Sequence, residues 1–321
     1  MIGDTEIKLK SMTLSFLSKR DFEQLLLSKD LKTGVKNITE KPAGILLYDS
    51  IVNKDLPIVE ILKKINEYAY ARLRELRKRD KFCKKVTEQF NLLFDIINLT
   101  VGVKTVLSSG EFKLIYPAGE LLGERLEGIR EINLLKERLP KRFRWILDYA
   151  SQGKIDNPYI IAEIIGRIRA PNYFTVKTKI AYSYFRDSFI LRLCTTNGKP
   201  PETIAELGIF TRDELESACT SKNLRELSDN LLSMNVLASR LGEALRDTTK
   251  LSEMPEVLDL ATILAGMNYS LALTFNKIEY AARNYILILG EAYLLRLSVA
   301  FMYSKHKINE LREIIIKWWP L

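Results

Sequence analysis

Histidine is nearly absent from this chain of 321 residues, which has one histidine and three cysteines. The histidine, His306, lies in the polar run Ser304-Lys-His-Lys307, where we expect a solvated loop or helix end. Cys83, Cys194 and Cys219 are widely spaced and form no C-x-x-C pair. We therefore predict that the chain has neither a disulfide framework nor a zinc site. The same cysteine pattern favours a reducing compartment.

Sequence motifs for catalysis and nucleotide binding are also missing. The chain contains no G-x-S-x-G, no G-x-G-x-x-G and no G-x-x-x-x-G-K-[ST] motif. With so little histidine and cysteine, a transition-metal site is not expected either. The sequence indicates no catalytic, cofactor-binding or metal-binding residue, and we predict a protein without an active site of its own.

No hydrophobic run suits a membrane span. Asn284 to Tyr303 is long enough, but Glu291 and Arg296 lie within it, and charged groups are costly in hydrocarbon. Leu260 to Phe275 is apolar but too short. Both segments favour buried helices of a large helical protein. The first eight residues lack the apolar region of a secretory signal, so we expect an intracellular protein.

The net charge of +9 suggests an anionic partner, either an anionic membrane or a nucleic acid, and an ordinary lysine-rich surface is the alternative. Two segments concentrate the basic residues: Arg72, Arg74, Arg77, Lys78, Arg79, Lys81, Lys84 and Lys85, then Arg138, Lys141, Arg142 and Arg144. Glu75, Asp80 and Glu88 interrupt the first cluster. A solvated helix face and a helical nucleic-acid-binding protein are the two interpretations that remain open.

The residue pattern predicts an all-α fold. Apolar residues recur every three or four positions from Ile58 to Leu76, which indicates an amphipathic helix. Further helices are expected over Tyr159–Ile168, ended by Ala170-Pro171, and from Thr175 to about Cys194. Strand patterns are weak and confined to two short segments, Gly44–Val52 and Phe112–Tyr116.

Two short sequence blocks recur three times in the same order. The first block has a large apolar residue, a Glu, a variable residue and an apolar or small one: Phe22–Leu25, Leu126–Ile129 and Leu215–Ala218. The second begins with an acid: Asp95–Leu99, Asp187–Leu191 and Glu291–Leu295. Such a pattern indicates one supersecondary unit used three times.

The first block follows a helix-capping pattern in two of its copies. Ser18 precedes Asp21 by three positions, and Thr211 precedes Glu214 by three, which is capping-box spacing. The middle copy has Leu122 in place of the hydroxyl residue. We therefore predict that two of the three copies begin a short helix in the same way.

The acids of the second block lie on an otherwise apolar helix face, because residues three and four apart share a face. A buried carboxylate needs a cation or backbone amides as partner. Arg192 and Arg296 are candidate partners, and cations of other helices are equally good ones. We predict a structural role for Asp95, Asp187 and Glu291; an ion site or active site formed by the three acids is the alternative.

The ordered set of blocks resembles a central-stalk component of rotary ATPases, the one named C in archaeal A-type enzymes and d in V-type enzymes. Asp95-Ile-Ile-Asn98-Leu99, followed by Tyr116-Pro-Ala-Gly119-Glu-Leu121, is similar to the family's D-x-x-N-L block and P-x-G-x-L turn. The resemblance covers nearly the whole chain, and the later segments follow in the family's order: Ile155–Tyr159, Asp187–Arg192, Lys199–Glu202, Gly208–Asn230, Glu291 with Arg296, and Lys305–Glu313.

The resemblance implies three helical units, residues 1–110, 111–205 and 206–321, arranged as lobes of a pseudo-threefold funnel. It also implies a non-catalytic central-stalk subunit of a rotary ATPase that translocates protons or sodium ions and makes or consumes ATP. The expected partners are the rotor stalk subunits and the membrane rotor ring. The expected location is the cytoplasmic face of the cell membrane, held peripherally through the ring, and no cofactor or small-molecule substrate is expected.

Overall fold

The computed structural model describes residues 4–113, 116, 118–121, 126–195, 198–202, 204, 208–252, 254 and 256–321. The chain is 72% helical, and the described residues form no strand. Sixteen α-helices lie in this part of the chain: α1 Asp4–Leu14, α2 Lys19–Leu26, α3 Leu31–Lys36, α4 Pro42–Tyr48, α5 Ile58–Lys78, α6 Lys81–Leu107, α7 Ile132–Arg138, α8 Trp145–Ser151, α9 Pro158–Gly166, α10 Val176–Cys194, α11 Arg212–Cys219, α12 Leu224–Leu232, α13 Val236–Thr248, α14 Glu256–Ser270, α15 Lys277–Ser304 and α16 Ile308–Trp318. The all-α prediction is confirmed.

The helices predicted from the sequence are present. The Ile58–Leu76 pattern lies in α5, Tyr159–Ile168 corresponds to α9, and Thr175 is the N-cap of α10. The possible strand at Gly44–Val52 is wrong, because α4 and a π-helical turn, Asp49–Asn53, occupy that segment. In Phe112–Tyr116 the described residues are not in a strand, and residues 114 and 115 lie outside the described part.

Three long helices, α6, α10 and α15, begin at side-chain caps. Asp80, Thr175 and Asn276 each accept a hydrogen bond from a backbone N–H in the first turn of the helix they precede. Such a cap satisfies amide groups that have no partner within the helix. The starts of these helices are therefore fixed by single local residues.

Aromatic rings fill the space where the three long helices meet. The ring of Phe90 on α6 lies 5.3 Å from that of Tyr182 on α10 and 5.0 Å from that of Tyr285 on α15, between ring centroids. One turn along, Phe94 is 5.3 Å from Phe189 and 6.4 Å from Tyr285. The contacts of Phe90 with Tyr182 and of Phe94 with Phe189 are edge-to-face, a geometry that stabilises beyond the buried area. At this level the three helices enclose a packed core.

Outside this core, each long helix also packs against a shorter helix that directly precedes another of the long helices in the chain. Helix α5 contacts α15 as well as α6, helix α9 contacts α6 as well as α10, and helix α14 contacts α10 as well as α15. The first and last described segments also meet, since the indole N–H of Trp319 donates to the carbonyl of Leu17 at 2.7 Å. The ring of Phe22 packs edge-on against the same indole.

Two helices, α6 and α15, are long and apolar enough to cross a membrane by length and composition alone. In each, the most apolar window of 18 residues is mostly buried within the fold, 67% in α6 and 72% in α15. Buried core helices of other proteins pass the same test. Asn284–Tyr303 belongs to α15, and Leu260–Phe275 falls in α14 and the turn after it.

Candidate functional site

The three repeated acids are buried in the three long helices. Asp95 of α6 is 1% exposed, Asp187 of α10 is 4% exposed and Glu291 of α15 is fully buried. A carboxylate in such a place requires partners, because its transfer out of water is costly. Each of the three acids accepts a hydrogen bond from at least one main-chain amide, and we call each acid with its amide a junction.

At the first junction, Asp95 holds the turn that follows Tyr116. Its two oxygens accept from the backbone N–H groups of Glu120 and Leu121, at 3.1 and 3.2 Å. Gly119 lies against the carboxylate with φ +116°, and a Cβ atom there would come 2.1 Å from Oδ1. Both the backbone conformation and the close approach therefore require glycine.

Asn98 holds the same turn from the next position of the block. Its side-chain amide donates to the carbonyls of Tyr116 and Ala118, and its oxygen accepts from the N–H of Tyr116 at 2.9 Å. Ile190 and Leu294 stand at the corresponding positions of the other blocks. Pro117 of this turn and Leu122, the residue without a hydroxyl in the middle copy of the capping pattern, lie outside the described residues.

At the second junction, Asp187 accepts from the N–H of Ile209 at 2.7 Å. Its other oxygen pairs with Nε of Arg186 at 2.8 Å, and Arg186 is itself fully buried. A Cβ atom on Gly208 would lie 1.9 Å from Oδ2 of Asp187. This glycine, like Gly119, is required because the carboxylate approaches the backbone so closely.

The third junction joins residues 274 positions apart. Glu291 accepts from the N–H of Leu17 at 2.8 Å and from the hydroxyl of Tyr68 at 3.2 Å. The residue before the donor is Phe16, which is 2% exposed and whose ring lies under the guanidinium of Arg72. No glycine is needed here.

The three junctions share one relation between the repeated blocks. Each donor N–H lies a few residues before a first block: Leu121 before Leu126, Ile209 before Leu215, and Leu17 before Phe22. Asp95 therefore holds the second copy of the first block, Asp187 the third, and Glu291 the first. The fold brings together the two block types that recur separately in the sequence.

Burial also sets the protonation of two of these acids. Desolvation raises the pKa of Asp95 to about 7, although the N–H of Leu121 and the charge of Arg142 oppose the shift. Desolvation likewise raises the pKa of Glu291 to about 7, opposed by the N–H of Leu17 and the charge of Arg72. A buried carboxyl without a contacting cation is expected to behave in this way.

The two predicted arginines do not pair with the repeated acids. Arg192 forms an ion pair with Asp259 of α14, with Nη1 and Oδ2 3.1 Å apart. Arg296 lies over the ring of Tyr293, 5.9 Å from its centroid, and pairs with no carboxylate among the described residues. Both arginines therefore act away from the junctions.

Asp259 is a largely buried polar centre that was not predicted from the sequence. Besides Arg192, the hydroxyls of Tyr116 and Tyr293 each donate to its Oδ2 at 3.0 Å. Desolvation raises the pKa of Asp259 to about 6, and the charge of Arg192 opposes that shift. A cavity of about 10 Å³ beside it has room for about one water molecule. A lone acid in the apolar run of α14 was the signal that could have revealed it.

The two basic clusters meet at Glu120. Arg77 of the first cluster lies 3.4 Å from this carboxylate, and Arg142 of the second also pairs with it. The acids that interrupt the first cluster are engaged: Glu88 pairs with Arg77, Glu75 pairs with Arg79, and Asp80 caps α6. Arg72 differs from the rest because it is buried and donates to the hydroxyl of Ser15 at 2.6 Å.

Both predicted capping boxes are present. Ser18 and Asp21 exchange side-chain and backbone hydrogen bonds at the start of α2, and Thr211 and Glu214 do the same at α11. The described residues of the middle copy, Leu126–Ile129, form no helix. The prediction of two capped copies out of three is therefore confirmed.

The prediction that excluded disulfides is wrong for one pair of cysteines. Cys194, at the end of α10, is bonded to Cys219, at the end of α11, and Cys83 is free and buried. The two bonded residues are 25 positions apart in the sequence, and their Cα atoms are 5.3 Å apart. Local spacing could not reveal the pair, because the fold brings the two helix ends together.

His306 lies exposed between α15 and α16, as its polar surroundings predicted. Within the part of the chain that the structure describes, no group of three or more His, Cys, Asp or Glu residues could hold a metal ion. No protein-family model matches the chain, and no curated protein matches it.

Proposed function

We propose that this protein is a non-catalytic central-stalk subunit of a rotary A/V-type ATPase, similar to the component named C in the archaeal enzymes and d in the V-type enzymes. The observation that carries the proposal is the set of three junctions. Each joins the acid of one block to the entry of the next, and Glu291 returns to Leu17 near the beginning of the chain. Three such links connect the first unit to the second, the second to the third and the third back to the first, as in a closed ring of three similar units.

Helix packing supports the same arrangement. If the units are residues 1–110, 111–205 and 206–321, the shorter helix of each hairpin packs on the long helix of the preceding unit. Helix α9 packs on α6, α14 on α10, and α5 on α15. We infer a pseudo-threefold arrangement of three helical lobes from this repeated order.

The packing is suited to a part that transmits torque. A coupling subunit between a long stalk and a membrane ring must resist deformation, and interiors packed at crystal-like density are poorly compressible. The aromatic core between α6, α10 and α15 and the three buried junctions would supply that stiffness. Because aromatic rings fill this core, the stalk would be gripped by an outer surface and would not pass between the three long helices at that level.

In this proposal the protein binds the rotor stalk subunits on one side and the membrane rotor ring on the other. It lies on the cytoplasmic face of the cell membrane and takes part in proton or sodium transport coupled to ATP synthesis or hydrolysis. It holds no cofactor and carries out no reaction. The buried acids then act by fixing the lobes to one another.

The deciding experiment is a pull-down of the tagged protein from native membranes in mild detergent. We expect rotary ATPase stalk and ring subunits in the eluate. A Gly208→Ala variant, whose added Cβ crowds the carboxylate of Asp187, should recover less of the complex. The matched control is Gly266→Ala, whose added Cβ would have ordinary contacts. Recovery of nucleoprotein partners in place of ATPase subunits would reject the proposal.

The second candidate is a basic helical nucleic-acid-binding protein, and the meeting of the two basic clusters at Glu120 favours it. It predicts micromolar or tighter binding to DNA or RNA that weakens steeply with salt. Since Arg77 and Arg79 are held in ion pairs, the charge reversals Lys78→Glu and Lys81→Glu outside those pairs are the sharper test. Unchanged affinity in that double variant would reject this candidate.

A further inference from the structure

The starts of the three long helices lie together at one end of the molecule. At the start of α6, the ring of Phe82 lies under the ammonium of Lys277, which begins α15, at 3.9 Å from the ring centroid. Just before α10, the hydroxyl of Tyr173 donates to the carbonyl of Lys85 at 3.3 Å. Lys177 of α10 donates to the carbonyl of Leu273, just before α15, at 2.8 Å. We call this surface the helix-start face.

Large apolar side chains project from the helix-start face into solvent. Val176 is 74% exposed, Leu273 is 68% exposed and Phe275 is 73% exposed. Single exposed apolar residues are common on protein surfaces, but neighbouring ones mark interaction sites. Lys177 connects the three, since it follows Val176, binds the carbonyl of Leu273 and lies 4.3 Å from the centroid of the Phe275 ring.

Lysines lie on the same face as these apolar side chains. The face carries five of them, of which the first three are exposed and the last two half-buried: Lys81, Lys84, Lys85, Lys177 and Lys277. Three acids beside these lysines are engaged in local bonds: Asp80 caps α6, Glu88 pairs with Arg77 and Lys84, and Glu279 accepts from the N–H of Phe275. The face therefore combines positive charge with exposed apolar side chains.

We propose that the helix-start face binds directly to the surface of an anionic lipid bilayer. The lysine ammonium groups would lie at the phosphate level, and Leu273 and Phe275 would enter the boundary between headgroups and acyl chains. Lysines near an anionic membrane surface and apolar side chains at its boundary are the two contributions that bind peripheral proteins. The proposal does not depend on the stalk function, because it requires no protein partner in the membrane.

A lipid surface fits this face better than a nucleic acid does. Aliphatic side chains such as Val176 and Leu273 gain little from a phosphodiester backbone, and bases stack on open aromatic rings. The rings of Phe82 and Phe275 are both covered by lysine ammonium groups, those of Lys277 and Lys177. Burial at a lipid boundary would explain the exposure of all three apolar residues at once.

The test uses the full chain and sedimentation with vesicles of neutral phosphatidylcholine, with or without anionic phosphatidylglycerol. We expect binding to anionic vesicles to be at least about tenfold stronger and to be lost at high salt. The double variant Lys177→Ala/Lys277→Ala should bind roughly 20-fold more weakly, and Phe275→Ala roughly tenfold more weakly.

The opposite end of α15 supplies matched controls. Tyr303 is 70% exposed, close to the value for Phe275, and lies about 40 Å from the start of the helix by its rise per residue. Tyr303→Ala and Lys305→Ala should bind vesicles as the unchanged protein does. Circular dichroism of each variant checks that the fold is retained.

A second experiment measures the fluorescence of an introduced tryptophan and so does not depend on a loss of binding. Phe275→Trp should show a blue-shifted emission with anionic vesicles, whereas Tyr303→Trp should not. Equal binding to neutral vesicles, equal loss in the Tyr303 and Phe275 variants, or no vesicle binding together with tight binding of DNA or RNA would each overturn the proposal. Its failure would leave the result of the membrane pull-down unaffected, so the two ideas can be separated.

Discussion

The junctions of Asp187 and Glu291 solve the same problem with opposite choices of side chain. Asp187 is short, and the backbone comes so close that residue 208 must be glycine. Glu291 is one methylene longer, and the corresponding residue is the bulky Phe16. The hydrogen bond from the main-chain amide is kept in both junctions. The length of the acidic side chain and the size of the residue before the donor change together.

The largest effect is expected for Gly208→Ala. The added Cβ would lie 1.9 Å from Oδ2 of Asp187, so the carboxylate and the backbone must separate and their hydrogen bond is lost. We expect a decrease of about 4 kcal/mol in the free energy of unfolding, measured with chemical denaturant. Gly266→Ala, with room for a Cβ in the interior of α14, should instead be neutral or stabilising.

A double variant sharpens this test. If the clash with the carboxylate is the cause, Asp187→Ala/Gly208→Ala should lose clearly less stability than the sum of the two single variants. Additive losses would show that Gly208 is needed for another reason.

The disulfide is the second difference between the two junctions. Cys194 and Cys219 link α10 to α11 on either side of Ile209, whereas the Glu291 junction is held by noncovalent contacts among the described residues. Cys219→Ser should lower the free energy of unfolding by about 3 kcal/mol. Hydrogen exchange should quicken at the amide of Ile209 and stay unchanged at that of Leu17; equal changes at both sites would contradict local stabilisation.

Glu291→Ala should cost about 3 kcal/mol, because it leaves the buried N–H of Leu17 and the hydroxyl of Tyr68 without their acceptor. Thermal unfolding measures the loss. Glu291→Gln is the matched control, since its amide oxygen can still accept from Leu17. A Glu291→Ala variant that keeps its melting temperature but loses coupling in a reconstituted ATPase would show that the position is functional and not structural.

Stability should fall as the pH rises through about 7. Burial raises the pKa of Glu291 from 4.5 to about 7, so the folded chain binds a proton that the unfolded chain has released. This contribution is fully present below the unfolded pKa and is lost as the pH rises through the folded pKa. Between about pH 5 and 8 we expect the unchanged protein to lose about 2 kcal/mol more than Glu291→Gln. Parallel pH profiles would contradict this assignment.

The smallest effects are expected at the two capping boxes. Ser18→Ala and Thr211→Ala each remove one side-chain acceptor, at the entries to α2 and α11, and should each cost about 1 kcal/mol. Denaturant titration of both variants gives the comparison. A difference larger than about 1 kcal/mol would mean that the neighbouring junctions, which differ in their acids, change the value of the cap.

The sequence predicted what depends on neighbours along the chain. The caps at Ser18 and Thr211 and the helix α5 follow from spacings of three and four residues, so they could be found without the fold. The need of the buried acids for partners also followed from their apolar surroundings.

What escaped prediction depends on residues distant in sequence. Glu291 finds its donor 274 positions away, and a main-chain amide leaves no trace in residue identity. The pairing of Cys194 with Cys219 and of Arg192 with Asp259 likewise arises only when helices pack side by side. The need for glycine at position 208 depends on the carboxylate of Asp187, which only the fold brings beside it.

The use of main-chain donors at the junctions has a consequence for how this sequence can change over time. Leu17, Leu121 and Ile209 contribute only their N–H groups to these bonds, and every amino acid except proline supplies one. Substitution on the donor side is therefore free with respect to the bond, while the acid on the other side can hardly change. Because Leu17, Leu121 and Ile209 are also buried in the core, we expect exchange among apolar residues at the donors and purifying selection at the three acids.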